Sequence, residues 1–182
     1  MEHFHRKINS ENWFNYEDLY SEMVERFDNG SHFVEVGVWK GMSACYMAVE
    51  IINSGKNIKF DCVDTWKYYD WFTDISEGAF EGVYDVFLKN IDPVKDTINI
   101  VRELSWEAPL KYDDNSLDFI FIDASHDYES VKKDIISWLP KLKENGVMAG
   151  HDYNHTPVLT AVTEVLGVNN VTPKGSCWVY NK

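Results

Sequence analysis

Positive charge is scarce in this chain: 17 lysines and arginines stand against 30 aspartates and glutamates in 182 residues, a net charge of −13 with histidine neutral. A surface of that sign repels phosphate backbones and anionic lipid, which sets nucleic acid and membrane aside as partners. Cysteine is nearly absent. Cys45, Cys62 and Cys177 are odd in number, widely spaced and set in apolar runs, with no CxxC pair and no zinc-ligand spacing, so they read as reduced core thiols. No segment approaches the roughly 18 consecutive apolar residues of a transmembrane helix, and Met1 to Lys7 lacks the apolar stretch of a leader. Repeats, linkers and low-complexity tracts are missing as well. A soluble, cytoplasmic protein is the expectation, and nothing in the sequence opposes a homo-oligomer.

What is present is enough for a buried core: 45% of residues are hydrophobic and 15% aromatic. One domain over residues 1–182 is expected, with 1–30 an N-terminal helical segment and 33–182 the ligand-binding core. Tyr16, Leu19, Tyr20, Met23, Val24 and Phe27 make the stripe of an amphipathic helix ended by Asn29-Gly30, a packing helix or a lid. Strands are expected at Phe33 to Val36, Ile58 to Val63, Ile98 to Val101, Leu117 to Ile122 and Val147 to Gly150. Helices fall between them: Ser43, as a candidate cap, to Asn53; one carrying Phe80, Val83, Tyr84, Phe87 and Leu88; and one carrying Val131, Ile135, Trp138, Leu139 and Leu142, kinked or restarted at Pro140. Thr156-Pro157 reads as the cap and first turn of a last helix through Leu166. A hairpin turning at Pro173 to Gly175 then joins a strand near Val168 to Val171 with one at Cys177 to Tyr180. Strands alternating with helices give βαβ units, hence an α/β, doubly wound, mostly parallel sheet of seven strands ending in an antiparallel hairpin.

In such sheets ligands lie outside the carboxyl ends of the strands, where this sequence collects its chemistry. Glu35, Gly37, Trp39, Gly41 and Ser43 leave the first strand and enter a helix, so backbone can approach a ligand there. The loop is not the dinucleotide pattern, because Trp39 and Met42 occupy two of its glycine places, and it lacks the Lys-Ser/Thr of a P-loop. An ordinary strand-to-helix turn fits it too. Asp64, closing the second strand, is either a turn aspartate or an acceptor for ribose hydroxyls. Asp123 and His126 follow the fourth strand, and His151 and Asp152 the fifth. Two carboxylates on neighbouring strand ends suit a hard divalent cation, and an imidazole near its ordinary pKa of about 6.5 suits proton transfer at neutral pH. His126 also fits a helix cap with Asp127, and Asp152 a turn. His3, His5 and His155 read as surface residues. The aromatic run Trp66 to Phe72 fits the core, but with Lys67, Asp70 and then Asp74 it reads more as an acceptor loop, since aromatic rings beside acids suit the faces and hydroxyl rims of sugars.

Glu35 to Ser43, Val63 to Trp66, Phe121 to Tyr128 and Gly150 to Tyr153 resemble class I S-adenosylmethionine-dependent methyltransferases. More narrowly they resemble the small branch with macrocin-type and other sugar O-methyltransferases and cephalosporin-hydroxylase-like proteins, over roughly Phe33 to Tyr180. The resemblance implies a Rossmann-like fold with S-adenosylmethionine as cofactor. Gly37 and its loop would cradle the methionine part, Glu35 would support that loop or the amino group, Asp64 would hold the ribose, and Ser105 and Trp106 would lie near the adenine. It also implies a divalent metal, Mg²⁺ or Mn²⁺, on Asp123, His151 and Asp152, with His126 as general base and a sugar or other small-molecule hydroxyl as acceptor. His151 departs from the oxygen ligand expected at its place, which leaves a metal on two carboxylates plus water, a nitrogen-tolerant ion such as Mn²⁺, or no metal. Two further classes fit the same residues: a catalytically silent cofactor-binding subunit, and a metal-dependent hydrolase or hydroxylase that would leave Gly37, Gly41 and Asp64 without a task.

Overall fold

A computed structural model describes residues 1–70 and 76–182. Seven strands form one sheet in the order β3-β2-β1-β4-β5-β7-β6. β1 (His32–Val36), β2 (Lys59–Asp64), β3 (Ile98–Arg102), β4 (Leu117–Ile122) and β5 (Leu142–Gly150) are parallel. β6 (Val171–Lys174) and β7 (Cys177–Asn181) add the antiparallel hairpin, β7 pairing with β5. The order reverses at β1, between β2 and β4, so the ends of β1, β2, β4 and β5 open onto one crevice.

The strands are apolar on both faces because both are covered. On one side α1 (Glu17–Arg26), α2 (Met42–Ser54) and α3 (Val83–Ile91) pack Leu19, Met23, Met47 and Phe87 against Phe33, Phe60, Phe119 and Phe121. On the other, α4 (Tyr128–Trp138) and α5 (Thr156–Leu166) pack Val131, Ile135, Trp138 and Val162 against Val34, Val63, Ile120 and Met148. All three cysteines are buried and free, as their apolar settings suggested. α1 is the packing helix rather than a lid.

Several local readings shift. α4 stops at Trp138, and Pro140 sits in a tight turn, so Leu142 opens β5 instead of closing the helix. The residues from Val168 to Asn170 form a helical turn, and the first hairpin strand comes later, with Pro173 on the sheet edge, where a missing N–H costs no ladder bond. Thr156 is the first helical residue and His155 the cap position. Ser43 lies inside α2, behind Gly41 at φ +84°, so it is not a cap. His155 is exposed as expected, whereas His5 is buried and ringed by Tyr46 and Phe14.

Trp138 anchors the α4 face: it is fully buried and its indole N–H donates to the Ser105 carbonyl at 2.8 Å, tying the helix to the loop after β3. Trp138→Ala should lower unfolding free energy by about 3–5 kcal/mol in urea titrations, through lost burial plus cavity. A loss under about 1 kcal/mol would show that this helix does not carry that face.

Candidate active site

A cavity of about 470 Å³ opens at the carboxyl ends of β1, β2, β4 and β5, within the size range of small-molecule sites. Its floor begins at Gly37, which leaves β1 at φ +86°, a conformation glycine adopts without strain. A Cβ there would lie 2.1 Å from the Asp123 carbonyl oxygen, so only glycine lets the β1 loop lie against the β4 loop. Gly41 does a different job. A Cβ on it would press Phe87 at 2.9 Å, so it seats α2 on α3 and does not line the cavity.

Asp64, at the end of β2, holds this loop in shape: one carboxylate oxygen accepts the Val38 and Trp39 N–H groups, each at 3.0 Å, and the other accepts Trp66 N–H at 2.8 Å. Burial raises its pKa, and these backbone donors act against that rise. It still borders the cavity, as do Trp39, Ser43, Ser105 and Trp106. Trp66 is core, 4% exposed, packed on Phe87 and donating to the Trp39 carbonyl, and so is not an acceptor contact. Of the rest of that expected acceptor loop, Lys67, Tyr68, Tyr69 and Asp70 are not among the residues bordering the cavity, and Trp71, Phe72 and Asp74 lie outside the described residues.

At the far end stand Asp123, His126, His151 and Asp152, all bordering the cavity. His126 Nε2 lies 3.1 Å from Asp152 and 3.6 Å from Asp123; His151 Nδ1 lies 3.2 Å and 3.7 Å from the same two carboxylates. Asp127 alone caps α4, accepting the Ser130 N–H at 3.0 Å, which leaves His126 to face the carboxylates. Burial alone would lower both imidazole pKa values, but the paired carboxylates prevail, raising His126 to about 10 and His151 to about 9. The imidazole near 6.5 expected from the sequence is therefore replaced by a strongly held proton. Asp152 is lowered by its hydrogen bonds to His126 and His151, and Asp123 is lowered too, those bonds overcoming its burial.

Among the described residues, the acids and imidazoles close enough to share an ion are Asp123, His126 and Asp152, whose ligand atoms lie within 4.8 Å of one another. His126 thus stands where the sequence reading put His151. The Nε2 of His151 instead meets Ser176 at 2.9 Å and Asn15 at 3.2 Å. Two carboxylates with one imidazole fit a divalent cation tolerant of nitrogen, such as Mn²⁺, better than one demanding oxygen alone.

The N-terminal segment supplies what the sequence did not reveal. Residues Ser10 to Tyr16 border the cavity. Tyr16, buried, donates its hydroxyl to Asp123 at 3.0 Å; Glu11 accepts the Trp39 indole N–H at 2.8 Å and pairs with Lys40 at 2.6 Å. These contacts span tens of residues, and only the helical stripe that begins at Tyr16 hinted at them.

A family model described as "Methyltransferase domain" matches residues 34–153. The chain belongs to that family. Its fold is the Rossmann-like methyltransferase fold, and its cofactor class is the S-adenosylmethionine that the motifs implied. The O-methyltransferase NovP superposes with a TM-score of 0.69 at 15% identity, covering 91% of this chain and 78% of that one. CalS11, described as a TDP-rhamnose 3′-O-methyltransferase of calicheamicin biosynthesis, gives 0.61 at 14%, covering 91% and 76%. An O-methyltransferase from Bacillus cereus in complex with S-adenosylhomocysteine gives 0.62 at 15%, covering 91% and 78%. An uncharacterized protein, y4gI, of Sinorhizobium fredii is 27% identical over 120 residues, 65% of this chain but only 13% of that much longer protein.

In the methyltransferase domain Glu35 lies beneath the cavity rather than in it: it is 1% exposed and accepts the Ser43 hydroxyl, and Ser43 borders the cavity. Burial raises its pKa to about 8. Because the folded value lies above the unfolded one, its stabilising contribution is complete below pH 4.5 and is lost as pH rises through about 8. Buried Asp134, raised to about 7 by burial, acts in the same direction. Thermal unfolding midpoints should fall between pH 5 and 9, and Glu35→Gln should flatten that fall, removing on the order of a few kcal/mol of pH dependence. Parallel curves for the two proteins would contradict a protonated Glu35.

Proposed function

We propose that this domain moves the methyl group of S-adenosylmethionine to a hydroxyl oxygen of a sugar or a glycosylated small molecule, aided by a divalent cation. The observation that carries the reading is a single one: the glycine loop after β1 and the Asp123–His126–Asp152 cluster border the same cavity and touch through Gly37. The descriptions of NovP and CalS11 as methyltransferases, the latter acting on a sugar nucleotide, support it by fold.

In the reaction the acceptor oxygen bonds to the methyl carbon while the carbon–sulfur bond breaks, its electrons returning to sulfur as a neutral thioether. The hydroxyl proton must leave, and His126, between two carboxylates, would take it only after giving up the proton that those carboxylates hold on it. Asp123 and Asp152 would hold the cation beside His126, and its chemistry is to polarise the acceptor oxygen. Asp64 and the Val38–Trp39 backbone present a shaped rim for the nucleoside, with Ser105 and Trp106 at the same wall. The cavity walls Trp39, Met42 and Val63 exclude water from the displacement.

His126→Ala should lower kcat by about 10²–10⁴-fold while the dissociation constant for S-adenosylhomocysteine stays within about threefold by calorimetry. Loss of cofactor binding in that variant would mark His126 as structural. Chelation should abolish turnover and Mn²⁺ or Mg²⁺ restore it, and full turnover in excess EDTA would remove the cation from the scheme.

A further inference from the structure

Resting on the proposed sugar reading, the structure assigns the acceptor a narrower chemical class: a glycoside without a phosphate or carboxylate group, uncharged or amino-bearing, whose ring lies on Trp13. Sugars activated as nucleoside diphosphates, the kind named for CalS11, carry two phosphates that a protein must neutralise with uncommitted cations or backbone donors.

Apart from the two imidazoles and the proposed divalent cation, which Asp123 and Asp152 already balance, this cavity lacks such cations. The residues bordering it include Glu11, Asp64, Glu103, Asp123 and Asp152 and, among the described residues, no lysine or arginine. The five residues not described, 71–75, contain none either. Near its margin Lys40 and Lys111 are paired with acids, while Lys67, Arg102 and Lys133 make ring or backbone contacts. Lys40 is paired with Glu11 at 2.6 Å and Lys111 with Glu103 at 3.1 Å. Arg102 lies over the Tyr84 ring and donates to the Thr65 carbonyl, and Lys133 lies 4.0 Å from the centre of the Trp106 ring. His126 and His151 are each shared between Asp123 and Asp152. A phosphate placed here would find no lysine or arginine on the described lining and would meet its carboxylates at close range, inside a chain already at −13.

The aromatic evidence is independent of charge. Trp13 is 55% exposed, the one large exposed hydrophobic side chain among the described residues that also borders the cavity. It stacks on Trp39 with centroids 6.2 Å apart at 29°, and Trp39 is itself braced by Phe80 and by the Glu11 carboxylate. The Trp13 indole is thereby stacked on one side against a braced neighbour and open to solvent over the rest of its surface. An exposed, stacked indole at the mouth of a pocket is the surface that the apolar face of a pyranose covers, and it attracts an ammonium as well.

Isothermal titration of the S-adenosylhomocysteine-saturated protein tests this with four probes: p-nitrophenyl glucoside, its 2-amino-2-deoxy counterpart, glucose 1-phosphate and UDP-glucose. The neutral and amino glycosides should bind at least about tenfold more tightly than either phosphorylated sugar. Trp13→Ala should weaken the favoured probes about tenfold and Trp13→Phe should restore most of that loss, with S-adenosylhomocysteine affinity unchanged within twofold. Equal or tighter binding of the phosphorylated sugars overturns the inference, and so does an unchanged glycoside affinity in Trp13→Ala. Binding of none of the four overturns the glycoside class, while retained S-adenosylhomocysteine binding in the same experiment leaves the methyl-donor reading standing. Failure to bind S-adenosylhomocysteine strikes the proposed function itself.

Discussion

The site depends on a single close approach. Where β1 and β4 end, Gly37 and the Asp123–Ala124 backbone are packed so tightly that a Cβ would overlap the carbonyl of Asp123 at 2.1 Å. That contact is a consequence of parallel pairing, Val36 beside Ile122, continued one residue beyond the ladder by the Asp123 N–H donating to the Val36 carbonyl at 2.7 Å. It fixes the glycine loop and the acid cluster as two sides of one crevice, so the distance between them follows from the register of the sheet. Loops elsewhere on the surface can vary without disturbing this relation.

Around that contact the protein places polar groups in graded depth. Glu35 and Ser43 form a buried pair under the loop, Asp64 gathers backbone N–H groups at its edge, and Asp123 and Asp152 are partly open at the rim. Depth decides the charge each carries. Glu35, buried and without a cation beside it, holds its proton to about pH 8, whereas Asp123 and Asp152 have imidazoles within reach and stay ionised. Three kinds of carboxyl group thus arise from one residue chemistry, set by what lies next to each.

The sheet and most of the crevice were legible in the sequence because they are local. Apolar strands alternate with periodic helices, and the chemistry-bearing residues follow strands directly, so order along the chain fixes position along the sheet edge. Leu142 and Ser43 were misread because their patterns serve two elements equally: an apolar residue four beyond Trp138 continues a helical stripe until Pro140 breaks it, and a serine two residues beyond a glycine looks like a cap until the left-handed Gly41 takes that place. Trp66 was misread since burial of an aromatic run depends on what packs over it, here Tyr84 and Phe87 of α3. The strap from Glu11 to Tyr16 was illegible for a stronger reason. Its partners Trp39, Asp123, His151 and Ser176 lie between 28 and 161 residues away, and no periodicity records a contact of that kind.

The same strap bears on how proton and charge are arranged. Tyr16 donates to one oxygen of Asp123 while His126 and His151 approach the other, so that carboxylate is surrounded by donors and has little capacity left for an acceptor hydroxyl. Asp152, with both imidazoles on its Oδ2, keeps one oxygen uncommitted to them. The two aspartates are therefore unequal: Asp123 is built into the sheet and the strap, and Asp152, held in a left-handed turn at φ +55°, is the one placed to exchange partners. His126 holds its proton only as long as both carboxylates face it. A positive charge sharing those oxygens would loosen the proton, since it is the two carboxylates that raise the imidazole against its burial.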